Sequence, residues 1–228
     1  MPEIILNGPE GRLEARYNQN PAKGAPVVLI LHPHPLYGGT MNNKIVYRLY
    51  QTFTESGFSA LRFNFRGVGR SQGKYDEGIG EMTDAATALD WLQQNNPDAG
   101  ACWIAGFSFG AWIAMQLLMR RPELEGFVAI SPPANLYDFA FLAPCPAAGL
   151  ICMGDKDDVV SEEAVAKLAG RLANQVQYAV ISGADHYYRN QLEDLGETVK
   201  GYIAARMDEL SGKRRIKPDR KRRQLPRD

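Results

Sequence analysis

The sequence predicts an α/β protein with a mostly parallel central sheet of about eight strands and helices on both faces. Three observations predict it. Short apolar or β-branched runs alternate with longer stretches of helical pattern, as in repeated strand–helix units. The run "VVLIL" (27–31) is apolar at every position, as a central strand covered on both faces must be. A chain of 228 residues suits one large domain and is short for two.

The elements follow in order. "EIIL" (3–6) and "RLEARY" (12–17) flank the turn-forming Gly8-Pro9-Glu10-Gly11 and read as a hairpin. After "VVLIL", further strands are expected at "ALRFNF" (60–65), "ACWIA" (101–105), "GFVAI" (126–130), "AAGLICM" (147–153) and "VQYAVI" (176–181). Helical patterns fill the gaps at about 42–56, 81–95, 109–120, 161–173 and 189–210. The helix from Phe109 ("FGAWIAMQLLM") is apolar nearly all round, which predicts burial.

Charge divides the chain. The formal net charge is zero, yet residues 211–228 carry nine of the 26 Lys and Arg and only two of the 26 Asp and Glu. That leaves 17 basic and 24 acidic residues for the body. With one Ile and one Leu, the tail has too little apolar surface for a core, so residues 1–210 are read as the folded domain and 211–228 as a disordered basic tail. The N-terminus lacks a basic region followed by a long apolar run, and no stretch of about 18 apolar residues occurs. Cys102, Cys145 and Cys152 are odd in number, and two lie in strand-like runs. A reducing, cytoplasmic setting without a membrane partner is expected.

The stretch "AGFSFGAW" (105–112) carries the chemistry. Ser108 lies between a strand and a buried helix, with Gly106 and Gly110 two residues away on each side. A strand-to-helix turn that tight lifts the serine above the sheet edge and brings strand and helix so close that a side chain at 106 or 110 would clash. This is the nucleophile elbow. Ser108 is then expected in a strained conformation, with the Phe109 N–H at a helix N-terminus, where it stabilises developing negative charge. A serine hydroxyl needs a base. His186 follows the last strand run ("VISGADHYY"), and "LICMGDKDDVV" places Asp155, Asp157 and Asp158 between serine and histidine in chain order. All three positions fall just beyond the C-terminal ends of strands, where open α/β sheets build their sites.

These residues resemble the α/β-hydrolase superfamily over about residues 1–210. "RFNFRGVGRSQG" (62–73) is similar to its R-G-x-G-x-S segment, "GDKDDVV" to its G-x-x-D-x-x-V segment and "GADH" to its histidine loop. "LHPHPLYGGTMNNKIV" (31–46) resembles a subgroup of small bacterial, dienelactone-hydrolase-like enzymes, with serine at 108 where dienelactone hydrolases proper carry cysteine. The resemblance implies the α/β-hydrolase fold, selects Asp157 as the acid and places a second oxyanion donor in the loop after the third strand. There Pro33 and Pro35 lack an N–H. His34 aligns with the donor position, Leu36 is the fallback, and His32 reads as a structural histidine anchoring the loop.

The implied activity is hydrolysis of small to medium carboxylic esters, or thioesters, through Ser108, His186 and Asp157 and an acyl-enzyme, with Phe109 and His34 as the oxyanion hole. About sixteen residues separate the strands at 126–130 and 147–153, too few for a lid domain. Leu36, Tyr37, Leu136 and Phe139 are expected to line the acyl pocket, with Tyr137 beside them. No cofactor and no metal are expected. "GVGRSQG" (67–73) lacks the helix a dinucleotide fingerprint needs, and the prolines constrain His32 and His34 against joining His186 as zinc ligands. The rival to an enzyme is a catalytically silent hydrolase-like module whose basic tail contacts nucleic acid or an acidic partner.

Overall fold

The structure, a computed structural model, describes residues 3–216 apart from 143, 173 and 174, with side chains described as far as 210. Its strands are β1 (Glu3–Gly8), β2 (Gly11–Asn18), β3 (Val27–Leu31), β4 (Ser59–Phe63), β5 (Cys102–Phe107), β6 (Gly126–Ile130), β7 (Ala148–Gly154) and β8 (Val176–Ile181). They form one sheet in the order β1-β2-β4-β3-β5-β6-β7-β8. Strands β1–β2 and β2–β4 pair antiparallel, and every other neighbour pair is parallel. The expected hairpin closes with Gly8 opposite Gly11.

Alternation along the strands builds two cores. Val27, Leu29 and Leu31 of β3 face one side and Val28 and Ile30 the other. Helices α2 (Ile79–Gln94), α3 (Phe109–Leu118) and α4 (Glu162–Arg171) cover the first side, and α1 (Lys44–Glu55) and α5 (Leu192–Ile216) the second. As its composition predicts, α3 buries eight of its ten residues. Between β6 and β7 the described residues make only loops and a 3₁₀ turn (Ala140–Leu142), and among them no lid domain stands over the sheet. Helix α5 continues as far as Ile216, six residues past the boundary expected from composition. Residues 217–228 of the basic tail lie outside the described residues.

The R-G-x-G-x-S segment after β4 is a structural clamp. The Arg66 guanidinium grips Asp84 of α2 through Nε–Oδ2 at 3.0 Å and Nη2–Oδ1 at 2.8 Å, and its backbone N–H donates to the same carboxylate. Ser71 Oγ donates to the Asn64 carbonyl at 2.7 Å and accepts the Glu14 N–H at 3.0 Å. Asn64 Oδ1 in turn accepts the Met41 N–H at 2.8 Å, tying this loop to the one that precedes α1. Gly67 and Gly69 take positive φ in the turn between these anchors.

Arg66 and Asp84 are 5% and 0% exposed, so removing one partner strands a buried charge. Asp84→Ala is expected to lower the unfolding free energy by about 3–5 kcal/mol. Glu209→Ala, which breaks an exposed i,i+3 pair with Arg206, is expected to change it by less than about 0.5 kcal/mol. Urea unfolding followed by far-UV circular dichroism checks both; equal effects would refute the clamp.

Candidate active site

Ser108 joins β5 to α3 with φ 53° and ψ −120°. A non-glycine residue held there costs on the order of 1–3 kcal/mol. The surroundings enforce it. The Ser108 N–H donates to the Ile130 carbonyl at 2.9 Å, and its own carbonyl accepts the N–H groups of Ala111 and Trp112 at 2.9 and 3.2 Å. A Cβ on Gly106 would lie on the Gly110 backbone, and one on Gly110 would come within 2.5 Å of the Leu31 and His32 carbonyl oxygens. The two glycines thus let β3, β5 and α3 touch backbone to backbone, as the clash argument expects.

His186 and Asp157 come from the loops after β8 and β7. His186 Nδ1 lies 2.8 Å from Asp157 Oδ2. A carboxylate partner puts the proton on Nδ1 and leaves Nε2 bare. Burial pushes the Asp157 carboxyl up, but the His186 hydrogen bond and the Val160 and Val159 N–H groups outweigh it, and the group sits below the usual aspartate value. The neighbouring acids do other things. Asp155 accepts the Ser182 hydroxyl and the Gly183 N–H, and Asp158 is exposed. The His186 ring packs on Phe107 with centroids 5.0 Å apart.

The loop after β3 is built on two histidines. His32 is fully buried: Nδ1 donates to the Pro33 carbonyl at 2.6 Å and Nε2 accepts the Phe65 N–H at 3.0 Å. Both ring nitrogens are engaged, the arrangement of a loop anchor. His34 Nδ1 accepts the Leu36 N–H at 3.2 Å, and Nε2 meets the Tyr75 hydroxyl at 3.2 Å. The Leu36 N–H is therefore already engaged. Among the described residues no acceptor is paired with the backbone N–H of His34 or of Phe109.

Ser108, His186, His34 and Phe109 line one cavity of about 610 Å³. Of the residues expected in its walls, Tyr37, Leu136 and Tyr137 are there. Leu36 and Phe139 are not. Leu36 points out of the 3₁₀ turn Pro35–Tyr37 at 66% exposure, and Phe139 is 4% exposed in the core against Phe141. The sequence reading missed Asn43, Phe107, Val159 and Tyr187. Three of these had a signal: Phe107 and Tyr187 adjoin Ser108 and His186, and Val159 belongs to the Asp157 segment. Among the described residues, no carboxylate, ammonium or guanidinium side chain lines the cavity.

Sheet order, elbow and the open mouth without a lid define a small α/β hydrolase. A crystal structure of a lidless serine hydrolase from Xanthomonas campestris superposes with a TM-score of 0.83 at 32% identity, covering 90% of this chain and 94% of that one. A protein of unknown function from Agrobacterium tumefaciens superposes at 0.88 with 52% identity, covering 91% and 97%. An uncharacterized protein of Rickettsia prowazekii is 55% identical over 211 residues, 89% of each chain. The chain belongs to the family described as X-Pro dipeptidyl-peptidase (S15 family), whose model matches residues 12–215. Among the described residues no helix is long and apolar enough to cross a membrane.

His32 makes stability depend on pH. Burial lowers its pKa from 6.5 to about 4, with the Pro33 carbonyl opposing the shift. The unfolded chain binds this proton near 6.5 and the folded chain only near 4, so the contribution is complete above 6.5 and drains away as pH falls toward 4, by about 3 kcal/mol. His32→Asn is expected to remove most of that decline. Urea unfolding of both proteins at pH 7 and near pH 4 measures it, and parallel losses in the two would rule out His32 as the source.

Proposed function

We propose that this protein is a serine hydrolase of small to medium carboxylic esters, with thioesters as a neighbouring substrate class. Ser108 is the nucleophile, His186 the base and Asp157 its orienting acid. One observation carries the reading: the Asp157–His186 hydrogen bond of 2.8 Å feeds an imidazole into the same cavity that the strained Ser108 lines. His186 Nε2 takes the proton as Ser108 Oγ attacks the carbonyl carbon. Negative charge collects on the carbonyl oxygen, facing the free N–H groups of Phe109 and His34, each worth about 2.7–4 kcal/mol in comparable sites. The alcohol leaves with the proton from His186, and water, activated by the same imidazole, releases the acid from the acyl-enzyme. Asp157 stays ionised throughout, fixing the tautomer and offsetting the imidazolium charge.

The family description names dipeptide release, which requires a seat for a free α-ammonium group. Among the described residues no carboxylate side chain lines this cavity, and its walls are aromatic and aliphatic apart from the reacting groups and Asn43. That favours an uncharged acyl group over the N-terminus of a peptide. The catalytically silent alternative is weakened by the same free donors and the same intact hydrogen bond.

A fluorophosphonate probe is expected to label the protein and to leave Ser108→Ala unlabelled. Asp157→Asn is expected to lower kcat on p-nitrophenyl butyrate by about 10⁴-fold, the loss seen for the equivalent change in serine proteases. Turnover of p-nitrophenyl esters and thioesters of graded length is compared with that of an X-Pro p-nitroanilide. Labelling that survives in Ser108→Ala would end the reading, and turnover of the anilide alone would replace ester with peptide.

A further inference from the structure

Beside the reactive cavity lies a second one of about 420 Å³. The two share Asn43 and Tyr187, so a half-exposed tyrosine ring and one amide side chain stand between them. Their electrostatic characters differ. Among the described residues, the first has no formally charged Lys, Arg, Asp or Glu in its walls, whereas the second has Lys44 and Arg189 and no carboxylate. The two cations are not equivalent. Arg189 pairs with Asp185 at 2.6 Å and leans over the Tyr187 ring, 5.2 Å from its centroid. Lys44 has no ion-pair partner among the described residues.

Lys44 also stands where the fold by itself gains nothing from a cation. It is the first residue of α1, where the helix dipole is positive, and no acidic residue follows in the first turn. The body around it carries 24 acidic residues against 17 basic ones, so carboxylate partners are plentiful elsewhere on the molecule. Local rules broken without a structural gain concentrate at functional sites. Asn43 adds a donor. Its Oδ1 caps α1 by accepting the Ile45 N–H at 2.9 Å, which leaves the amide nitrogen for a ligand at the boundary of the cavities.

We propose that the second cavity is an anion subsite, and that the substrate is an amphipathic ester with its apolar part beside Ser108 and a carboxylate or phosphate beside Lys44. The proposal rests on the serine-hydrolase reading and extends it from a reaction to a substrate class. The apolar walls take the uncharged portion, Tyr187 packs against the linking segment, and Lys44 with the Asn43 amide holds the charge. A lone ammonium at an exposed site contributes mainly through long-range attraction, so the effect is expected in KM and is expected to weaken with salt.

The test uses the full chain and ester pairs matched in length. On the acyl side, mono-p-nitrophenyl glutarate is paired with p-nitrophenyl pentanoate. On the alcohol side, the butyrate ester of 3-hydroxybenzoate is paired with that of 3-hydroxybenzamide, and the butyrate ester of glycerol 3-phosphate with glycerol monobutyrate. The expected result is a kcat/KM preference of about tenfold for the anionic member of at least one pair, expressed in KM. That preference is expected to fall several-fold in Lys44→Gln, to return in Lys44→Arg and to shrink between about 50 and 500 mM salt. The pair with the largest ratio identifies carboxylate or phosphate and the side of the ester that carries it. Hydrolysis with no preference for any anionic member, or a preference that Lys44→Gln leaves intact, overturns the subsite and leaves the hydrolase standing. No hydrolysis of any ester, with no fluorophosphonate labelling, overturns both.

Discussion

Three backbone segments meeting without intervening side chains is the constraint on which the molecule turns. Gly110 presses against the carbonyls at the end of β3, and Gly106 against Gly110 itself. The Ser108 N–H is meanwhile held by the end of β6. That contact fixes the helix–sheet distance and forces the serine into its strained conformation. Burial supplies the opposing energy. Helix α3 places Phe109, Ile113, Met115 and Leu118 at 0–1% exposure, and each large apolar side chain so buried contributes about 1.5–3 kcal/mol. A few such residues exceed the cost of one distorted dihedral pair, so the strain persists and the hydroxyl stays aimed at the cavity.

Around this contact a set of buried polar anchors holds the loops. His32 stitches the end of β3 to the chain beyond β4, Arg66 locks that chain to α2, and Asn64 reaches the segment before α1. Ser131 and Tyr188, both at positive φ and both fully buried, meet through their hydroxyl groups beneath the histidine loop. Each anchor is satisfied at both ends, the condition under which buried polarity adds rigidity. The result is a mouth whose loops are tied to the body by paired, buried polar groups.

Most of the fold was legible because its signals are local. The runs at β3, β6 and β8 match the strands residue for residue, since each is bounded by turn or polar residues that end the ladder. Boundaries moved where tertiary contacts captured the backbone. The strand expected to reach Phe65 stops at Phe63, because the Phe65 N–H goes to His32 instead of a neighbouring strand. Helix α5 starts three residues later than its pattern begins, because residues 189–191 form a turn in which the Gln191 N–H donates to the Tyr188 carbonyl at 3.2 Å. The placing of Ser108 and His186 beyond strand ends was legible for the same reason as the strands, since each follows a recognisable run; the run before Asp155, Asp157 and Asp158 left all three open, and only the resemblance of "GDKDDVV" singled out Asp157. The cavity walls were less so. Leu36 and Tyr37 are adjacent in a 3₁₀ turn and both are exposed, yet only the second borders the cavity, while Tyr137 stacks on Trp112 and Phe139 sinks into the core. Chain order does not encode which way such neighbours turn.

Helix α5 has a bearing on how the protein can be handled. It leaves the histidine loop at the rim of the sheet and descends along the second face, where Tyr202 packs against Trp103 near the beginning of β5, the opposite pole from Ser108. Its 25 residues span about 37 Å. A fluorophore or affinity handle attached at the last described turn of α5 is therefore carried at the pole away from Ser108.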